Sequence, residues 1–274
     1  MAGLKLGLKS SIKDVKVIAG LEPAFLETFI FPHDLKNIGV DELVQRFGAS
    51  GLPVVVHVPE YHGEVFVDLA SDEPSVRRTS IEAVRLSIKL ADALGSPHIV
   101  LHPGGISENG LDRPRAIKRL HKALEELSYD KFYLENMPWF YFKARRTRGR
   151  TVRVRSNIMI APEDYAQVLD NIAGMTLDIC HGFLSTKEGS MKNLLALFDA
   201  YPKLPRYLHI SDAKAPDGEG LQLGDGDIEF DQICHRLRKD GEDWWGIPEI
   251  MDGHRNGGKG FAKALRILKD SGVY

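Results

Sequence analysis

The sequence has only two cysteines, Cys180 and Cys234. That is too few for a disulfide framework and points to a reducing compartment. No apolar run approaches the ~18 to 20 residues of a membrane span. The N-terminal MAGLKLGLKS interrupts its leucines with lysines instead of building the apolar centre of a secretory signal. Charge of one sign is also missing. With 36 basic and 38 acidic residues the formal net charge is -2, so no global field draws the chain toward nucleic acid or an anionic membrane, and any such binding needs a local patch. There is no low-complexity linker. A soluble cytoplasmic protein with no membrane partner is expected. What is present is 274 residues, 43% of them hydrophobic, enough for one sizeable core.

Apolar runs of four to six residues bounded by turn signals recur eight times: LKLGL (4–8), AFLETF (24–29), PVVVHV (53–58), HIVLHP (98–103), KFYLEN (131–136), MTLDIC (175–180), RYLHIS (206–211) and WGIPEI (245–250). Most are apolar on both faces, as buried parallel strands are. Between them lie segments of helical spacing. In DEPSVRRTSIEAVRLSIKLADALG, Val76, Ile81, Val84, Ile88 and Leu94 trace a stripe that Gly95 ends. DRPRAIKRLHKALEELS, APEDYAQVLDNIAG, SMKNLLALFDAYP and GKGFAKALRILKDSG read the same way. Eight alternations over this length fit one α/β unit, a single (β/α)8 TIM barrel spanning residues 1–274, better than two doubly wound domains. An insertion, residues 137–160, separates the fifth strand from its helix.

In such a barrel the active site forms where strands pass into βα loops. Those ends carry Glu27, His57, His102, Glu135, Asp178 with His181, His209 with Asp212, and Glu249. Any one of these taken alone reads as a helix cap or a rim residue. Together they are harder to explain that way, because carboxylates converging on one mouth repel each other unless a cation neutralises them. A bound divalent metal is the economical account of acids and imidazoles at the ends of apolar strands.

At this point LHPGG, LENMP, LDICHGF, LHISDAK, LGDGDIEF and PEI, in order and over nearly the whole chain, resemble the xylose isomerase-like TIM barrels. That superfamily includes sugar and sugar-phosphate isomerases and epimerases, and also the endonuclease IV, or AP endonuclease family 2, type of nuclease. The resemblance implies Glu135, Asp178, His209 and Glu249 as ligands of a first ion, with Glu135 and Glu249 as a catalytic acid-base pair in the epimerases. It implies His57 and His102 as ligands of a second ion bridged by Glu135, and His181 as a ligand of a third or a substrate contact. The nuclease branch pairs that histidine with an Asp-x-His just before GDGDIEF; here PDGEGLQ offers Asp217 and Glu219 but no histidine. The donor set suits Zn²⁺ or Mn²⁺, with Mg²⁺ and Co²⁺ also accepted, at one to three ions per chain.

Two further features bear on substrate. DGHRNGGKG places Arg255 and Lys259 beside a glycine-rich helix start, the usual phosphate position of this barrel. Residues 139–156, WFYFKARRTRGRTVRVRS, carry six arginines including Arg146 and Arg148. Valines alternate with arginines there, as in one strand of a hairpin, and Trp139 and Tyr141 are expected to pack it down. Such a segment can grip phosphates or stack on bases, close over a small anionic ligand, or simply be solvated. Cys180 is expected to point away from the metal by strand alternation, and His98 into the lower barrel. The leading reading is a divalent-metal-dependent isomerase or epimerase of a sugar, sugar phosphate or related polyol. The alternative is an endonuclease IV-like phosphodiesterase acting on abasic or damaged DNA.

Overall fold

A computed structural model describes residues 4–107, 110–147, 150–240 and 244–273, and of 142–147, 150–153 and 240 the backbone alone. Eight parallel barrel strands run Lys5–Leu6 continued by Leu8–Ser10, Leu26–Thr28, Val54–His57, Ile99–Leu101, Phe132–Glu135, Gly174–Asp178, Arg206–Ile210 and Trp245–Pro248. Each pairs with its sequence neighbour, and the first strand closes the ring. Its Lys5–Leu6 half pairs with Trp245–Gly246 and its Leu8–Ser10 half with Leu26–Thr28. Gly7 joins the halves, and a Cβ there would sit 2.4 Å from the ring of Phe25, so only glycine lets the strand pass.

Glu27, His57, His102, Glu135, Asp178, His209 and Glu249 each fall on one of these strands or the residue after it, because short strands buried on both faces leave few other readings, while His181 and Asp212 lie two or three residues beyond. Inside the ring, Phe25, Val55, Val100, Tyr207 and Ile247 form one packed layer. Outside it a larger core binds barrel to helices, where each fully buried Leu or Ile contributes roughly 1.5–3 kcal/mol.

The helix Pro74–Leu94 starts on Pro74 behind an accepting Glu73 side chain and stops at Gly95, whose φ of 64° is left-handed. It buries Ile81, Val84, Leu90 and Ala91, while Ile88 and Leu94 are only half-buried, so the stripe read from sequence is displaced by a fraction of a turn. Val40–Gly48, Arg113–Leu127, Met191–Asp199, Phe230–Asp240 and Arg255–Asp270 complete the main helices. One expectation fails. APEDYAQVLDNIAG is not an α-helix but two 3₁₀ turns, Pro162–Gln167 and Leu169–Asn171. The buried Asp164 carboxylate accepts from the amides of Ile160 and Ala161 and pairs with Arg113. The segment is thereby pinned by its start before a longer helix can form. No described helix is long and apolar enough to cross a membrane.

The insertion after the fifth strand is an antiparallel hairpin, Phe140–Thr147 with Arg150–Ser156, extended by Ile106–Ser107. Tyr141 is buried, its ring edge-on to Phe66 and His102, and the Arg155 guanidinium lies 4.1 Å over the Trp139 ring. Tyr141 thus packs this segment down, whereas the half-buried Trp139 stacks on the hairpin's own Arg155. Arg148 and the side chain of Arg146 lie outside the described residues.

Candidate metal centre at the barrel mouth

The residues read from strand ends meet in one place. Nitrogen and oxygen donors of Glu135, Asp178, His209 and Glu249 lie within 4.8 Å of one another, and so do those of His57, His102 and Glu135. Glu135 belongs to both groups. Its Oε1 is 3.4 Å from His209 Nδ1 and 3.1 Å from His181 Nδ1, and its Oε2 is 3.6 Å from His57 Nε2 and 3.2 Å from His102 Nε2. His209 Nδ1 is 3.8 Å from Asp178 Oδ2 and 2.6 Å from Glu249 Oε2. Despite these approaches, both Glu135 oxygens and His209 Nδ1 are buried without a well-aligned hydrogen bond. Buried polar atoms of native proteins are rarely left so. Converging lone pairs that fail to pair with each other are what a cation site requires, and the residues fit the metal the sequence implied.

Backbone chemistry orients these donors. His57 Nδ1 is 2.7 Å from the Val58 carbonyl, which fixes the ring with Nε2 toward Glu135. The Asn136 side chain spans Asp178, donating to its carbonyl and accepting from its amide, while the Asp178 carboxylate accepts from the His181 amide at 2.6 Å and caps the short helix Ile179–Phe183. Asp212 is a different case. Its carboxylate accepts from the amides of Ala213, Gly224, Gly226 and Ile228, so this strand-end acid organises the LGDGD loop and is not a ligand.

Two residues of the site carry no ligand role in the sequence reading, Glu27 being only one of its strand-end acids and Lys9 absent from it. The Glu27 carboxylate, on the second strand, is 2.9 Å from His209 Nε2 and accepts from the Tyr207 hydroxyl at 2.7 Å. Lys9, on the first strand, contacts Glu249 directly and lies 3.4 Å from Glu27 Oε1. Glu27 was visible as a strand-end acid. Lys9 gave no signal, because a lysine flanking leucine reads as a solvated edge.

Burial alone would raise each carboxyl, but the facing cations prevail. His209 and His102 hold Glu135, and His209 with Lys9 hold Glu249, well below the carboxylate range, and Glu27 falls to about 2. Asp178 goes the other way, to about 7, because burial and the charges of Glu135 and Glu249 outweigh the histidines. Burial would lower His181, yet Asp178, Glu135 and Glu219 bring it up to about 10. Without an ion, then, protons must hold this cluster together.

The donors open into a cavity of about 260 Å³. Seven carboxylates line it, those of Asp14, Glu60, Glu135, Asp178, Glu219, Glu249 and Asp252, whereas Lys9 is the one lysine or arginine among the described lining residues. Cys180 also lines it, contrary to expectation. The strand ends at Asp178 and Cys180 sits in the helix beyond, so strand alternation no longer applies. Burial holds its thiol far above the usual range, which keeps it un-ionised. His254 lines the cavity too, but Arg255 and Lys259 are exposed, Arg255 with its Nε 3.1 Å from Asp252. His98 lies low in the barrel, stacked on Tyr133 at 4.2 Å.

The family model described as xylose isomerase-like TIM barrel matches residues 18–271. A protein named probable endonuclease 4 from Sulfurihydrogenibium sp. is 28% identical over 188 residues, 64% of this chain and 63% of its own length; the chain thus spans under two thirds of that relative. Among solved structures, a D-tagatose 3-epimerase-like protein superposes with a TM-score of 0.67 at 22% identity, covering 98% of this chain and 97% of that one. Endonuclease IV from Thermus thermophilus superposes with a TM-score of 0.65 at 19% identity, covering 97% and 98%. At these identities the superpositions show the fold alone.

Proposed function

The chain belongs to the xylose isomerase-like TIM-barrel family, and from that premise we propose that it is a divalent-metal-dependent isomerase or epimerase of a neutral sugar or related polyol. The observation that carries this reading is the cavity wall, where seven carboxylates stand against one ammonium among the described lining residues. Four of these carboxylates, those of Asp14, Glu60, Glu219 and Asp252, stand outside the ligand set, where they repel a phosphorylated or polymeric anion and offer acceptors to sugar hydroxyls. The whole chain, residues 1–274, serves as one catalytic domain in this reading.

Glu135, Asp178, His209 and Glu249 would hold the first ion, and a divalent cation such as Mn²⁺ or Zn²⁺ supplies Lewis-acid polarisation of a hydroxy-carbonyl substrate. The chain does the rest. Glu249, kept ionised by His209 and Lys9, accepts the proton from the carbon beside the carbonyl, and Glu135 passes one back to carbon after drawing it from the His102 imidazole, 3.2 Å from its Oε2. Lys9, in contact with Glu249, keeps it in the form a base needs. Glu27 holds His209 through Nε2 and leaves Nδ1 for the ion. Phe29, Phe31 and Tyr141 add aromatic surface to the cavity wall.

A second reading has its own support. Glu135 Oε2 faces both His57 and His102, and a two-ion centre there would suit phosphodiester hydrolysis, as the relative's name suggests. One experiment separates the two. Protein stripped with chelator and reloaded with Mn²⁺ or Zn²⁺ is incubated in ²H₂O with neutral hexoses, hexuloses and inositols, and beside it with a duplex carrying one abasic site. Our reading predicts a new sugar isomer by NMR and no incision. Incision without any sugar conversion would overturn it.

A further inference from the structure

Next to the metal centre lies a second cavity of about 170 Å³ that shares Lys9, His57, Phe29 and Glu60 with the first. Its remaining wall is almost wholly apolar, built by Ile30, Pro32, Val58, Pro59 and the Tyr61 ring. Thr28 is the exception, and its hydroxyl is already engaged, accepting from the His57 amide at 3.0 Å. The two cavities therefore meet along the Lys9 and His57 edge of the centre but differ in chemistry. The first offers carboxylates to hydroxyls, and the second is mostly apolar beyond the Lys9, His57 and Glu60 edge that the two share.

The rim repeats the pattern. Phe29, Phe31 and Met251 are large apolar side chains left 43%, 39% and 61% exposed, and all three line the main cavity. Phe29 and Phe31 pack edge to face at 5.0 Å, so the exposed apolar surface on this side is ordered around the opening. Isolated exposed apolar residues are ordinary, but three gathered on one opening mark a binding surface.

We propose that the side cavity is a substrate subsite for a short apolar substituent, so that the preferred substrate is a neutral sugar bearing a methyl-terminated group. This rests on the isomerase reading and narrows its substrate class. A bare sugar would leave the cavity filled with poorly bonded water, whereas a methyl displaces that water and gains contact with Ile30 and Val58. One methyl group in such a pocket discriminates about 10–200-fold. The group can be the methyl of a deoxysugar or that of an acylamino sugar.

The test uses the Mn²⁺-loaded protein and matched sets of hexoses, each with its 6-deoxy and its 2-acetamido counterpart, and of hexuloses, each with its 6-deoxy counterpart. Both binding, by calorimetry, and conversion, by NMR, are read. Ile30→Phe fills the cavity and Tyr61→Ala widens it; neither residue is placed at the metal. Wild-type protein is expected to bind one methyl-bearing series at least about tenfold more tightly than the parent sugars. Ile30→Phe brings that ratio near one while parent-sugar binding stays within twofold, and Tyr61→Ala moves it less. Which series responds identifies the source of the methyl. Equal binding of all three series, or a preference that survives Ile30→Phe in protein whose parent-sugar binding is unchanged, overturns the subsite. Absence of conversion with methyl-selective binding intact would instead count against the isomerase reading, since calorimetry reports the subsite on its own.

Discussion

His98 and His102 lie four residues apart, one low in the barrel and the other at its mouth, and their environments drive them in opposite directions. His98 is stacked on Tyr133 and edge-on to Tyr207, and its Nε2 is buried without a hydrogen-bond partner. Burial pulls its pKa down to about 4, so it remains neutral and serves as packing. His102 is equally enclosed, yet Glu135 at 3.2 Å overcomes burial and raises it. Burial alone therefore does not make a site. What distinguishes the mouth is the carboxylates that accompany its imidazoles, and the bottom layer has hydrophobes and tyrosines in their place.

Substitutions at the mouth and at the bottom sharpen this contrast. The largest effect is expected for Glu249→Gln, which removes the base and a ligand together; kcat should fall about 10³-fold, measured by NMR on the substrate found. Glu27→Gln should weaken Mn²⁺ binding about 10–100-fold, because His209 loses the acceptor that fixes its Nε2, and calorimetry of chelator-stripped protein reads this without any substrate. Lys9→Met is expected to cost about tenfold in kcat with KM nearly constant, and to move the acidic limb of the kcat/KM profile to higher pH, since Glu249 loses the cation that keeps it ionised. An unchanged profile would place Lys9 outside the mechanism.

The smallest effect on activity belongs to His98→Phe, within twofold, and its readout is stability. His98 has a folded pKa of about 4 against an ordinary 6.5. The unfolded chain takes up a proton below pH 6.5 that the folded one refuses, so the residue destabilises the fold as pH falls from 6.5 to 4, by up to about 3 kcal/mol. His98→Phe should remove that share of the acid sensitivity in denaturant unfolding of ion-free protein at pH 7 and pH 4. If wild type and variant lose stability equally, His98 is not held neutral.

Much of this was legible in the sequence for a physical reason. Parallel strands buried on both faces leave short apolar runs, and the residue that ends each run must sit at the mouth, so Glu135, Asp178, His209 and Glu249 could be placed by counting. The same logic failed one step past the strand. Cys180 was assigned by alternation, but the Asp178 carboxylate caps a helix there and turns the chain. Residues 161–174 have helical spacing, yet a buried Asp164 bound to its own local amides and to Arg113 shapes them into 3₁₀ turns, a long-range partner that spacing cannot reveal. Lys9 was unreadable for a related reason. Lys5 and Lys9 look alike in LKLGLKSS, but Lys5 lies 5.3 Å over the Trp245 ring at one end of its strand, and Lys9 reaches the acid cluster at the other.

Every role assigned at the mouth requires a cation held where these acids and imidazoles converge. Its most direct test is calorimetric titration of Mn²⁺ into chelator-stripped protein, in wild type and in Asp178→Asn. Uptake of at least one ion per chain by wild type, with affinity lowered more than about tenfold in the variant, is the predicted result. No uptake by folded wild-type protein, or equal affinity in both, would contradict it.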